Sequence, residues 1–493
     1  MSRNAVIALG AMVVLGGVFF ATQEKEIRVG VESLDFSKFE KTSVSQIVIT
    51  GAQTVSMKKE DAGWLIQTPA GQGQGATWVK ADGTKVDKIF TEITKVRSSF
   101  MVSNRKDALE GYELNKEKGT QLTFSSAAGE LLSLVVGRSN NKGSTYMKEA
   151  KDDRVFAVRS ALSGMVKKGI NDWRGRGVWD LALKDIAKVT FKPAQGSPYS
   201  ITVNEEGKDT NYQLAEGAVT PVGFRFGNNE AKRLVSGLMN LRANDFFDGD
   251  PKAAETGFGT EHASLIVERR EGKSINLHIG AENDKKQRYV EVEGNPQVYL
   301  IQSSNLKNLL GDVNAVRAMN VIDFDENKVV KIEIAEDKNK TVLSKENNGW
   351  GINLPKTLPA GFQFDPNSVE RQLRSIKNIK AEAFVGAPAS QHGLKKPSLT
   401  ITLTDENGST TRLAYGAETE EGSKKVYLQS PIDNGVYKAR AFQKTRYQKG
   451  VELFKKFEAP KGDFSQAQGF NNLPPDVRKS LEEQMRKNQM LRK

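Results

Sequence analysis

The stretch Lys59-Glu-Asp-Ala-Gly-Trp-Leu-Ile-Gln-Thr-Pro69 returns almost unchanged as Lys345-Glu-Asn-Asn-Gly-Trp-Gly-Ile-Asn-Leu-Pro355. In each copy, polar residues and a glycine make a turn. A Trp-led alternating strand follows, and a proline ends it. Between the copies lies a worn version, Val203-Asn-Glu-Glu-Gly207 running on to Tyr212-Gln-Leu214. A chain built this way is constrained to tandem copies of one unit, so the repeat has to be read before any single motif.

The rest of the unit repeats as well. Val86, Ile89, Phe90, Ile93 and Val96 fall on one helical face, as the 3.6-residue period requires. Leu238 with Leu241, and Ile376 with Ile379, take the places of Ile93 and Val96 in the other two units. A phenylalanine follows each helix, Phe100, Phe246 and Phe384, and is expected in the core. Next comes a glycine step, Gly111-Tyr112, Gly257-Phe258 or Gly393-Leu394, and then a hairpin ending at Gly137, Gly280 or Gly416. A second hairpin closes each unit. The expected fold class is α+β: three tandem repeats of an antiparallel sheet with covering helices.

The flanks differ from the repeats. Ala5–Thr22 carries no charge and is just long enough, at about 1.5 Å per residue, to cross a bilayer as a helix. A cleaved signal peptide is the rival reading. Phe19 and Phe20 stand where cleavage needs small residues, so a retained transmembrane helix is preferred. Arg3 before it and Glu24 and Glu26 after it place the amino terminus inside and the body outside the cytoplasmic membrane. The domains expected are an anchor over 1–23, a juxtamembrane spacer over 24–44, repeats over 45–184, 185–327 and 328–458, and a linker with a basic C-terminal helical tail over 459–493. In that tail Val477, Leu481 and Met485 form a narrow apolar stripe among Lys and Arg, a candidate docking face for a partner or a membrane.

Between the first two repeats, Asp172-Trp-Arg-Gly-Arg-Gly-Val-Trp-Asp180 sets two Trp beside two Arg. Trp173, Arg174, Arg176 and Trp179 are therefore candidate interaction residues. The competing and preferred role for both Trp is packing of the joint. The later joint, Asn314–Asp323, has one Arg and no Trp.

Catalytic and metal motifs are scarce. The chain has no cysteine, which rules out disulfides and thiolate metal sites. Its histidines, His262, His278 and His392, lack metal-motif spacing. Gly272-Lys273-Ser274 lacks the upstream glycine of a phosphate loop. Ser139 and Ser304 each precede a Lys by three residues without companion penicillin-type motifs. Asp323-Phe-Asp-Glu-Asn327 begins like a calcium loop, but Lys328 fills the glycine position. No cofactor or metal is expected. The net charge of +12 suits anionic partners such as headgroups, acidic proteins or wall polymers; nucleic acid is not expected as one of them.

The strand, the Gly-Trp strand ending in Pro, the amphipathic helix, and the residues Trp64, Gly111-Tyr112, Val136-Gly137 and Arg174 resemble the bacterial domain of unknown function 4340. The resemblance covers nearly all of the chain after the anchor. It implies a single-anchor envelope protein, often linked with ABC-type export systems of the gliding-motility kind. The expectation is a non-enzymatic accessory or scaffold protein at the inner membrane, its body periplasmic and its partners envelope membrane proteins such as an ABC permease and an auxiliary subunit. A cell-wall or polysaccharide binding protein is the alternative, and an unrecognised hydrolase a further one.

Overall fold

The structure is a computed structural model. It describes residues 34–456 apart from 71–74, 97–98, 141, 207–208, 260–262, 338 and 348. The expected anchor and the basic tail, with Val477, Leu481 and Met485, lie outside the described residues. Among those described, no helix is long and apolar enough to cross a membrane.

Three antiparallel sheets follow one another along the chain, one per repeat. The first contains β1 (Gln46–Thr50), β2 (Thr54–Glu60), β3 (Gly63–Gln67), β4 (Trp78–Lys80), β5 (Ser99–Ser103), β6 (Thr120–Ser126), β7 (Gly129–Ser139), β8 (Thr145–Glu149) and β9 (Val155–Val158). Its order is β4-β3-β2-β1-β6-β7-β8-β9-β5. The second contains β10 (Ile186–Lys192), β11 (Tyr199–Glu206), β12 (Asp209–Leu214), β13 (Asp245–Phe247), β14 (Ser264–Arg269), β15 (Ile275–Glu282), β16 (Gln287–Val292) and β17 (Val298–Gln302). Its order is β12-β11-β10-β14-β15-β16-β17-β13. The third contains β18 (Val329–Glu336), β19 (Asn339–Glu346), β20 (Gly349–Leu354), β21 (Ala383–Gly386), β22 (Leu399–Asp405), β23 (Thr410–Glu418), β24 (Lys425–Gln429) and β25 (Val436–Arg440). Its order, β20-β19-β18-β22-β23-β24-β25-β21, repeats that of the second.

One long helix covers each sheet: Gly83–Thr94, Asn228–Met239 and Pro366–Lys377. Asp82 and Asp365 cap the first and third, each carboxylate accepting from a backbone N–H of the first turn. The apolar stripe buries Val86, Ile89, Phe90 and Ile93 in the first helix and Val369, Leu373 and Ile376 in the third. Against the first stripe pack Ile47, Met57, Ile66 and Phe124, alternate residues of neighbouring strands.

The core placement expected of Phe100 needs correction. A strand follows each helix, β5, β13 or β21, and pairs with the last strand of its sheet. In that pairing Phe246 lies opposite Tyr299 and Phe384 opposite Tyr437. In the first sheet Met101, not Phe100, faces the matching Phe156. Phe100 is one residue out of register, so it points to the other face of its strand and is 65% exposed rather than in the core. The two Trp do hold equivalent register, Trp64 opposite Lys59 and Trp350 opposite Lys345. Their burial differs: β4 covers β3, whereas β20 is an edge strand, leaving Trp350 only half-buried. A short helix closes each of the later repeats, beginning at Ser303 and at Ala441.

The described residues divide into two compact units. The first lies within Met1–Thr220 and Asn228–Val316, the second within Pro221–Gly227 and Arg317–Lys493. The first thus holds two sheets and the joint between them; the second holds the third sheet together with the short segment 221–227.

Candidate functional site: the arginine at each joint

Each segment that leaves one sheet for the next runs as a short extended strand with an arginine at one fixed position. In the first unit, Arg174 pairs with Ala81 and Gly177 with Arg242 as isolated bridges. Asp82 N–H donates to Trp173 O at 2.7 Å and Gly175 N–H to Lys80 O at 2.8 Å. On the other side Ala243 N–H donates to Arg176 O at 2.8 Å. In the second unit, Phe226 pairs with Arg317 and Asn320 with Lys380. Ala318 N–H donates to Arg225 O and Ala381 N–H to Met319 O, at 2.7 and 2.8 Å. Both joints therefore use one hydrogen-bond pattern.

The arginines are buried, Arg174 at 1% and Arg317 at 0% exposure. Arg174 Nη1 and Nη2 grip the two oxygens of Asp248 at 2.9 and 2.8 Å. Nε donates to Gln297 Oε1 at 3.0 Å and Nη1 to Asn171 Oδ1 at 3.0 Å. The guanidinium carbon stands 4.2 Å from the centre of the Phe246 ring. This is the bidentate, stacked environment that suits Arg better than Lys. Arg317 stands 3.8 Å from the centre of the Phe384 ring and 5.2 Å from that of Phe224. Its Nη1 donates to Gly223 O at 2.8 Å and to Asp433 Oδ2 at 3.4 Å.

Asp433 is itself buried, its side chain 2% exposed. It accepts from Tyr437 Oη at 2.5 Å and from Gly435 N–H at 3.0 Å, with Arg225 Nε 3.7 Å away. Burial pushes the Tyr437 hydroxyl up from its ordinary pKa, and the neighbouring Asp433 carboxylate adds to the rise. A charge removed from water is tolerated only where partners of this kind surround it.

The sequence-based candidates fall in the first joint. Trp173 and Arg174 are buried there, and neither offers an exposed surface to a partner. Arg176 lies 5.7 Å from the centre of the Phe246 ring and donates to Ala243 O. Trp179 Nε1 donates to Leu238 O at 3.0 Å. Trp173 and Arg174 are buried in the joint, while Arg176 and Trp179 are half-buried and bonded to backbone carbonyls there. Asp248, Gln297, Gly223 and Asp433 were missed because they lie far along the chain. One signal exists for Asp433: it precedes Val436-Tyr437 and accepts from that tyrosine, as Asn295, whose amide donates to Tyr299 Oη at 3.1 Å, precedes Val298-Tyr299.

Elsewhere, His392 Nδ1 accepts from Ala389 N–H, and its ring lies 4.5 Å from that of Tyr427. His278 is exposed and His262 lies outside the described residues. Among the described residues, no group of three or more metal-ligating side chains comes together. A cavity of about 780 Å³ opens in the first repeat, lined by Lys106, Leu109, Leu114, Val135 and Lys148 among others. Lys148 Nζ is held there by Asp152 O at 2.6 Å.

The family described as "Domain of unknown function (DUF4340)" matches residues 74–260, 251–397 and 357–456. The chain belongs to this family. The matched spans of this DUF4340 protein run across Arg174 and Arg317, while β1, β2 and β3 of the first sheet precede them. No curated protein and no solved structure matches the chain.

Proposed function

We propose that this DUF4340 protein is a non-enzymatic accessory or scaffold protein of the cell envelope. It is held to the inner membrane by Ala5–Thr22, with its repeats outside the cytoplasm, and it serves a membrane complex such as an ABC-type exporter. The observation that supports this reading is the repeated joint. Each buried arginine is committed to the chain's own aromatic ring and carboxylate. Charges used in this way hold neighbouring elements in place, as a protein that presents surfaces to partners requires. The cell-wall reading leaned on the net positive charge and on Trp173 and Trp179; the Trp173 ring, 1% exposed, offers no face on which a sugar could stack, while Trp179 is half-buried.

Pull-down of the tagged chain from detergent-solubilised membranes should recover membrane proteins of one complex, while purified cell wall should retain none of it. Retention on the wall with no membrane partner would replace the scaffold reading. Topology is checked separately. A reporter active only in the cytoplasm, fused after Lys493, should stay silent, and a strong signal would overturn the extracytoplasmic placement.

A further inference from the structure

The third repeat ends with the hydrogen-bond pattern that leads the first and second into a following sheet. Phe364 pairs with Lys455 as Ala81 pairs with Arg174 and Phe226 with Arg317. Asp365 N–H donates to Phe454 O at 2.9 Å, as Asp82 N–H does to Trp173 O. Lys456 N–H donates to Gln363 O at 2.7 Å, as Gly175 N–H does to Lys80 O. Phe454 is buried at 0%, as Trp173 is at 1% and Val316 at 0%. Lys455 therefore holds the joint arginine's position, yet it is exposed. Glu452, three residues before it, is also exposed, and so is Leu358, six residues before its bridge partner Phe364, at 39%. Glu452 holds the place of Asn171, whose amide donates to Asp245 of the following sheet at 3.0 Å.

At both earlier joints the cation is met by an aromatic ring and a carboxylate: Phe246 with Asp248, and Phe384 with Asp433. We propose that the end of the third repeat around Lys455 docks a β-sheet domain of another protein, one that offers an aromatic ring and a carboxylate to Lys455. The proposal rests on the accessory-protein reading and specifies its partner. A second copy of this chain does not supply the match. In its first repeat Met101 stands where Phe246 and Phe384 stand, and Arg154 Nε already binds Asp152, at 2.6 Å. The strand position used by the joints is also taken there, since Phe36 N–H donates to Val96 O as Val178 N–H does to Leu241 O. An ammonium can replace the guanidinium as a point charge over a ring, though it lacks the fork.

The test is photo-crosslinking of the full-length chain in its native membranes, with a benzophenone amino acid at Leu358 or Glu452. Control positions are Lys116 on the first repeat and Lys285 on the second. The expected result is an adduct with one other protein, at a strand bearing an aromatic and an acidic residue. Its yield should fall at least about tenfold in Lys455→Glu, a loss of about 1.4 kcal/mol, and persist in Lys455→Arg. Unchanged melting of the Lys455→Glu chain shows that the loss is one of docking. An adduct with a second copy, with residues 457–493 of the chain itself, or one insensitive to Lys455→Glu overturns the proposal. Adducts at the control positions alone overturn it while leaving the accessory reading standing. Absence of adducts at every position counts against both.

Discussion

Arg174 illustrates how one side chain decides a joint. Its guanidinium is fully desolvated, and its two-pronged grip on Asp248 offsets that cost. Arg174→Ala should therefore destabilise the first unit by about 3–5 kcal/mol, because Asp248 and Gln297 lose their partner. Arg174→Lys should recover only part, having no fork. Arg317→Ala should cost the second unit a similar amount. Urea unfolding measures both, and losses under about 1 kcal/mol would mean that the arginines do not lock the joints.

Glu92 makes a pH-dependent contribution. Burial alone would raise its pKa. The Ala161 N–H at 2.8 Å, Lys95 at 2.8 Å and Ser160 Oγ at 3.3 Å outweigh burial and hold it below its ordinary value. The folded chain thus binds this proton more weakly than the unfolded chain. The stabilisation is present above the unfolded pKa of about 4.3 and is lost as pH falls through the lower folded value. Glu92→Gln should flatten the acid limb of the first unit's stability curve, and an unchanged limb would remove Glu92 as a contributor.

At the scale of the element, the glycine that ends each central hairpin has a clear cause. A Cβ at Gly137, Gly280 or Gly416 would strike the carbonyl oxygen of Tyr112, Thr256 or His392 respectively. Each strand is irregular beside that glycine, where β7, β15 and β23 shift register against their neighbours. The recurring Gly111-Tyr112, Gly257-Phe258 and Gly393-Leu394 steps deliver the turn that presses on these glycines. Gly137→Ala should cost several kcal/mol, as overpacking against backbone has no flexible side chain to yield. The two tryptophans separate edge from interior. Trp64→Ala should cost about 3–5 kcal/mol. Trp350→Ala should cost clearly less, since β20 has a strand on one side only; equal losses would show that the edge is covered in solution.

For the whole molecule, the division into two compact units predicts two unfolding steps. Gly416→Ala should lower the midpoint of the second unit and leave that of the first within about 1 °C, because distant sites are nearly additive. Scanning calorimetry separates these outcomes, and a single merged transition moved by the substitution would show that the units unfold together. Deletion after Pro460 should leave both midpoints nearly unchanged while partner or membrane co-purification falls. Unfolding of the second unit on that deletion would place the tail in its core.

The sequence alone determined the repeat, its α+β class and its family resemblance. These rest on local rules: alternation along strands, a 3.6-residue stripe along helices, and glycine at tight turns. The Trp64 and Trp350 copies, the helix faces and Gly137, Gly280 and Gly416 were legible for that reason. The tertiary structure decided where long-range pairing ruled. It set β5, β13 and β21 against the last strand of each sheet, which exposed Phe100 and buried Met101. It also joined Arg174 to Asp248 and Gln297, and Arg317 to Gly223 and Asp433. Those partners stand dozens of residues or more from their arginines, and no local pattern ties a charge to a carboxylate so far along the chain. Only burial of the guanidinium, which forces it to find partners, selects them.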